Sequence, residues 1–302
     1  MRRPSVIVVV GDLVTDVLVV HTGPIAIGSD TGASITVSGG GQAANTAAWL
    51  ARAGRDVTLV AAVGDDPAGR ERVAELTAAG VRCAVRTQEG ASTGSVVVLA
   101  GPQERTMITD RGAALLLGAD DVRAALETPA AHLHLSGYPL LHAESRPAGL
   151  AALRTAAGSG LTTSVDAASA APLRSVGAGA FLAWVRDTDV LLCNADEADV
   201  LAGPGTAEEQ ARRLTEHARN AVVKRGAAGA TWASRDGRLW SVAPEQVREM
   251  KDPTGAGDAF AAGLLAAWCA GADPEAALRA GSQLGAEAVG QVGARPRHPF
   301  SG

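Results

Sequence analysis

Short β-branched runs alternate with Ala-rich stretches of helical spacing along most of this 302-residue chain, and that alternation is its tightest constraint. "SVIVVVGD" reads as a strand, "QAANTAAWLARAG" as a helix closed by Gly54, "DVTLVAAVGDD" as a strand and "AGRERVAELTAAG" as a helix. "VRCAVRT", "HLHLSGY", "TTSVDAAS", "DVLLCNADEADVL" and "NAVVKRGAAGA" continue the rhythm, each followed by a helix or a turn. The runs are apolar without strict alternation, as strands covered on both faces are. The pattern predicts βαβ units around a mostly parallel sheet.

Two segments break the rhythm. Residues 13–37 and 92–109 alternate apolar with polar residues around Gly, Pro and Asp turns, as antiparallel hairpins do. In the second, "GPQE" supplies the turn. They predict a small antiparallel sheet inserted into one α/β domain spanning 1–302, placed where a lid is carried. Two ordinary edge hairpins would give the same pattern.

Composition excludes several classes of function. With 47% hydrophobic and 20% charged residues the chain is globular, and scarce aromatics leave Ala, Val and Leu to build the core. A net charge of −5 without a basic tract offers no footprint for nucleic acid or an anionic membrane, so small molecules are the expected partners. The opening apolar run "VIVVV" is too short for a secretory segment, and no run approaches the roughly 20 residues of a membrane span. A soluble, cytoplasmic protein is expected. Cys83, Cys193 and Cys269 form no paired spacing and are expected as buried free thiols.

The most distinctive stretch is "KDPTGAGDAF", residues 251–260, which runs into the apolar "AAGLLAAW". A Gly-rich turn at a helix start leaves backbone N–H groups without intrahelical partners and so forms an anion site. It is not a P-loop, because the lysines, Lys224 and Lys251, do not follow a glycine. Nor does "GDLVTD" after the first strand supply a GxGxxG dinucleotide fingerprint. In "DPTGAGD", Asp258 falls beside the nest, where a carboxylate can accept a proton from a hydroxyl while the nest holds transferring phosphoryl charge. Local physics equally allows Asp258 as a partner of the helix dipole and Asp252 as a turn cap.

"DPTGAGDAF" resembles the C-terminal signature of the ribokinase-like (PfkB) carbohydrate kinases. The resemblance continues in family order over essentially the whole chain. "GDLVTD" resembles the substrate strand, "GGGQAANTAAWLARAG" the GG-x-x-x-N signature and "VGDDPAG" the turn after it; "NADEADVL" resembles the N-x-x-E metal motif and "VVKRGAAGA" the nucleotide strand and loop. It implies a ribokinase-like three-layer α/β/α fold with a mostly parallel central sheet and a small β lid.

For the site, the resemblance implies Asp258 as general base and the backbone of Gly255, Ala256 and Gly257 as transition-state donors. Asp16, Gly40, Gly41 and Asn45 would line the sugar pocket. Gln42 departs from relatives that carry Lys there. Asn194 and Glu197, on one helical face, would position Mg²⁺ through water. Asn194, Lys224, Gly226 and Gly229 would flank ATP, Lys224 being a departure from a common Thr. Asp252, Thr254 and Gly293 would offer oxygens to K⁺.

Other residues are read more plainly. Arg111 is a candidate contact to an acidic or phosphorylated substrate, whereas Arg105 reads as a solvated turn residue. His132 and His134 are expected to pack at a sheet edge or crevice and not to bind metal. Asp166, at a strand end, is a candidate secondary substrate or metal contact. The tail "GARPRHPFSG" reads as a loop. The expected activity is ATP-dependent phosphorylation of a hydroxyl, the primary one, of a small sugar such as ribose, fructose or 2-keto-3-deoxygluconate, with a homodimer through the lid sheets as in relatives. The alternatives are a nucleoside kinase of the adenosine type and a non-catalytic sugar- or nucleotide-binding protein.

Overall fold

In a computed structural model that describes residues 6–101, 105–247 and 249–296, the apolar runs become strands β1 (Ile7–Val10), β4 (Val57–Gly64), β5 (Arg82–Gln88), β8 (His132–Ser136), β9 (Thr162–Asp166), β10 (Val190–Asn194), β11 (Asn220–Lys224), β12 (Ala230–Ser234) and β13 (Leu239–Val242). They form one sheet in the order β13-β12-β11-β10-β9-β8-β1-β4-β5, parallel from β11 to β5, with β12 and β13 antiparallel at one edge. That edge is short-range hairpin pairing, which the sequence pattern alone did not separate from the strand before it.

The remaining strands, β2 (Val14–His21), β3 (Ala33–Gly40), β6 (Thr93–Ala100) and β7 (Arg105–Gly112), make a second sheet in the order β3-β2-β6-β7. The hairpins β2–β3 and β6–β7 are antiparallel as expected. They join through a parallel β2–β6 pairing, so the small sheet is mixed. The reason is topological, since both hairpins leave the body in the same direction, at Leu13 and Ser92, before they meet. Of the expected "GPQE" turn, residues 102–104 lie outside the described residues, as do the Arg105 side chain and the end of the tail.

Helices α1 (Gln42–Arg52), α2 (Pro67–Ala78), α3 (Ala119–Leu126), α4 (Tyr138–Leu141), α5 (Arg146–Gly158), α6 (Ala170–Val176), α7 (Ala178–Trp184), α8 (Ala195–Ala202), α9 (Ala207–Leu214), α10 (Ala256–Trp268) and α11 (Pro274–Val289) cover both faces of the large sheet. Strand parity divides the interior. Ile7, Val9, Leu59, Ala61 and Leu192 pack with α1, α10 and α11, whereas Val8, Val10, Val60, Leu133 and Leu191 pack with the helices from α3 to α9. Local chemistry sets the ends of α2: Asp66 caps it by accepting from the Gly69 N–H at 2.7 Å, with Pro67 in the first turn. The Asp66 carboxylate also accepts from Thr93 N and Thr93 Oγ1, fastening the start of β6 to the body.

His132 and His134 correct the expectation of an edge position. β8 lies between β1 and β9 in the middle of the sheet, and both rings are fully buried. His132 shares hydrogen bonds with Thr162 and Ser164, and His134 with Ser164, at 2.7–2.8 Å. Burial pushes their pKa values down to about 3 and about 4, so both are neutral packing residues. Cys193 is buried as expected, while Cys83 and Cys269 are only half-buried; all three are free thiols. No helix among the described residues is long and apolar enough to cross a membrane.

Candidate active site

Parallel register brings the carboxyl ends of β8, β9, β10 and β11 side by side, with Ser136 opposite Asp166 and Asn194 opposite Lys224. The chain order reverses where β1 meets β8, and in open α/β sheets the crevice above such a point is where ligands bind. Asp12, just past β1, stands at that crevice.

Across it runs a continuous polar chain. Arg111, on β7, donates to Asp12 Oδ2 at 3.1 Å and stacks over the Tyr138 ring at 3.7 Å. Ser136 Oγ donates its one proton to Gln42 Oε1 at 2.6 Å and lies 3.3 Å from Asp12 Oδ1. Gln42 Nε2 donates in turn to Asp166 Oδ1 at 3.1 Å, and Lys224 Nζ meets Asp166 Oδ2 at 2.5 Å. Burial works against the Lys224 charge, yet the Asp166 and Glu197 carboxylates outweigh it and hold its pKa above the usual ammonium range. Asp12 and Ser136 were not singled out as site residues from sequence, and Gln42 was noted only as a departure from relatives that carry Lys there.

Asp258 sits in the first turn of α10, whose N-cap Gly255 takes the left-handed conformation, φ 75°. Glycine is required there, because a Cβ would lie 2.4 Å from the Ala294 carbonyl oxygen. The N–H groups of Gly257 and Asp258 belong to the open first turn, whereas that of Ala256 turns back to Pro253 O at 3.3 Å. Lys224 Nζ lies 3.5 Å from where a Gly257 Cβ would stand, so an ammonium adjoins the turn. Asn45 Nδ2 donates to Asp258 Oδ2 at 2.9 Å. Burial pushes the Asp258 pKa up to about 8; the Asn45 hydrogen bond and Lys224 oppose the rise, and Asp166 and Asp12 add to it. A carboxylate tuned toward neutral pH beside a cation and a helix N-terminus is equipped to take a proton and stabilise anionic charge.

Gly40 and Gly41 are tightly placed. At Gly40 a Cβ would fall 2.1 Å from Asp16 Oδ1, which puts the Asp16 carboxylate flush against the turn, and Gly41 caps α1 at φ 100°. Arg295 completes this wall: it donates to Gly40 O at 2.9 Å and to Asn45 Oδ1 at 3.2 Å. The described part of the tail, residues 293–296, is irregular as expected, and Arg295 places it against the site. A lone Arg between Gly-Ala and Pro gave the sequence reading no signal.

Asn194 and Glu197 form a reciprocal capping box on α8: Asn194 N and Nδ2 donate to the two Glu197 oxygens, and Glu197 N donates to Asn194 Oδ1. Glu197 is buried, and burial together with Asp166 lifts its pKa to about 7 against the pull of Lys224. Asp252 accepts from Thr254 N at 2.9 Å and from Gly293 N at 3.0 Å, so the three candidate cation residues form one cluster. Gly226 faces open space, whereas Gly229 closes the β11–β12 turn against Val242 O.

The chain is similar to known proteins over most of its length. The description of the pfkB family of carbohydrate kinases matches residues 5–299. The ATP-dependent ribose-1-phosphate kinase of Halopiger xanaduensis is 34% identical, over 85% of this chain and 82% of that protein. The 5-dehydro-2-deoxygluconokinase of Clostridium perfringens strain 13 is 29% identical, over 83% and 78%. In fold, the chain is similar to the adenosine kinase of Sinorhizobium meliloti (TM-score 0.87, 23% identity, 97% and 96% covered). It is also similar to a putative ribokinase II of E. coli solved with ATP and Mg²⁺ (TM-score 0.82, 24% identity, 96% and 94% covered). With the match running through nearly the whole sequence, the chain belongs to the pfkB family of carbohydrate kinases and is a phosphotransferase with an alcohol group as acceptor.

Proposed function

We propose that the chain transfers the γ-phosphoryl group of ATP to the primary hydroxyl of a small sugar that carries an anionic group, with Asp258 as the base. The observation that carries this reading is the Asp258 carboxylate at the start of α10, oriented by Asn45 and flanked by Lys224. The sugar rests on Asp16, Gly40, Gly41 and Asn45. As Asp258 takes the hydroxyl proton, the Gly255–Gly257 turn and Lys224 face the equatorial oxygens of the transferring group. ATP extends past Gly226 and Gly229 toward Asn194. The mixed sheet acts as the lid that excludes water.

Asn194 and Glu197 would hold Mg²⁺ through water, and the ion would supply neutralisation of the charge that develops on the phosphoryl group. Glu197 suits a water-mediated contact to the ion, since the hydrogen bonds from Asn194 to both its oxygens hold the carboxylate within the α8 cap. Asp252, Thr254 and Gly293 suit K⁺ as a loop pair already gathered around one carboxylate.

The anionic substituent is supported by Arg111 Nε and His142 Nε2, which lie beside Asp12 and Tyr138 and are buried without hydrogen-bond partners among the described residues. A nucleoside base is disfavoured there, since the Tyr138 face is covered by Arg111. ADP release with ribose, fructose, ribose 1-phosphate, 2-keto-3-deoxygluconate and adenosine as acceptors tests the reading. An anionic sugar should give the highest kcat/KM. Adenosine as best acceptor would replace the sugar, and acceptor binding by calorimetry with no ADP formed under any Mg²⁺ or K⁺ condition would make the chain a binding protein. The exposed Ile35, Val37, Met107 and Ile108 of the lid support pairing of two lids in a homodimer, which light scattering decides. Free cysteines and ATP dependence support a cytoplasmic location.

A further inference from the structure

Arg295 lies beyond α11, in a segment pinned on both sides: Trp49 Nε1 donates to Ala294 O at 2.9 Å, and Gly293 N donates to Asp252. Its guanidinium is 14% exposed and spends its donors in three directions. Nε reaches Asn45 Oδ1 at 3.2 Å, one terminal nitrogen reaches Gly40 O at 2.9 Å, and the other reaches Glu75 Oε2 on α2 at 3.1 Å. Burial draws its pKa down to about 10 and Glu75 draws it up, so the group is cationic at neutral pH.

A carboxamide is nearly symmetric in shape, and its neighbours decide which end points where. Arg295 has only donors, so the Asn45 oxygen must face it and the Asn45 nitrogen must face Asp258. Without the guanidinium the amide is free to turn, which would set an oxygen lone pair against the Asp258 carboxylate. The same side chain holds Gly40, the last residue of β3, and thus the root of the lid sheet.

We propose that Arg295 is a positioning residue: it locks the Asn45 amide as a donor to Asp258 and ties the root of β3 to that carboxylate. This rests on Asp258 being the base. The other groups that act on Asp258 are Asp166 at the end of β9, Lys224 at the end of β11, Asp12 after β1 and Tyr138 on α4.

The test compares Arg295→Met and Arg295→Lys with the parent chain, by ¹³C NMR titration of the Asp258 carboxyl (assigned with Asp258→Asn) and by kcat and KM against pH. Both variants should move the Asp258 titration to higher pH by about one unit, lower kcat by about 10²-fold and raise the acceptor KM, leaving the ATP KM within about twofold. Lys keeps the charge beside Glu75 but cannot span Asn45 and Gly40 together. Wild-type titration and kcat in Arg295→Lys would reduce the role to charge and overturn the proposal, even if Arg295→Met failed to fold. An unmoved titration in either folded variant would overturn it too. If the parent transferred phosphate to no acceptor, the function proposed above would fall, while the NMR titration would still decide the positioning.

Discussion

Replacing Asp258 by Asn should abolish transfer and make the protein more stable, and the second effect follows from the geometry. In the folded chain the carboxyl pKa is about 8, against an ordinary 3.8, because burial disfavours the anion. The folded state therefore keeps a proton that the unfolded chain releases above about pH 4. Stability contributed by this group is present below pH 4 and is lost as pH rises toward 8. At about 1.4 kcal/mol per pH unit the ceiling is roughly 5–6 kcal/mol; Asp258 is only half-buried, so screening leaves an expected cost of about 2 kcal/mol. Asn carries no charge at any pH. The advantage of Asp258→Asn in urea unfolding should grow from nearly zero at pH 4 to about 2 kcal/mol at pH 8. In the parent chain kcat/KM should climb with pH toward 8 as the base ionises, while Asp258→Asn loses several orders of magnitude in kcat. A stability difference flat across this range, or near wild-type turnover in the variant, would refute the reasoning.

Three further perturbations probe the frame around that carboxylate. Gly40→Ala places a methyl 2.1 Å from Asp16 Oδ1 and should raise the acceptor KM at least tenfold with little change in the ATP KM, read by steady-state kinetics. Lys224→Met strips Asp166 of its ammonium partner at 2.5 Å, leaving a buried charge; unfolding by urea should show a loss of about 3 kcal/mol, with kcat falling as well. Asp66→Ala removes the cap of α2 and the two bonds to Thr93, which should cost about 2 kcal/mol and speed hydrogen exchange at the start of β6.

The alternation of runs was enough to find the α/β body, since central strands such as β1, β4 and β8 are buried on both faces and the helices pack one face against them. The two polar-apolar segments likewise marked the small sheet, but their parallel junction, β2 to β6, is a long-range pairing with no local signature. In the site, the stretch around Asp258 was legible because a Gly-rich turn at a helix start has few physical uses. The chain Asp12–Ser136–Gln42–Asp166 was not, because its members come from separate element ends that only the sheet register assembles. Two apparent departures from the family pattern also proved to be one arrangement. Gln42 and Lys224 meet on the two oxygens of Asp166, so the neutral residue on α1 and the cation on β11 together satisfy one carboxylate.

The parity of the large sheet acts as a partition between two interiors. Apart from the Asn194–Glu197 cap and Tyr138, the groups around Asp258 lie on the side of α1 and α10, whereas the apolar mass under α3, α5, α6, α7 and α9 meets them at Tyr138, which packs against it. That second interior is where this sequence is free to drift over generations, or to be repacked for heat resistance, without retuning the chemistry across the sheet.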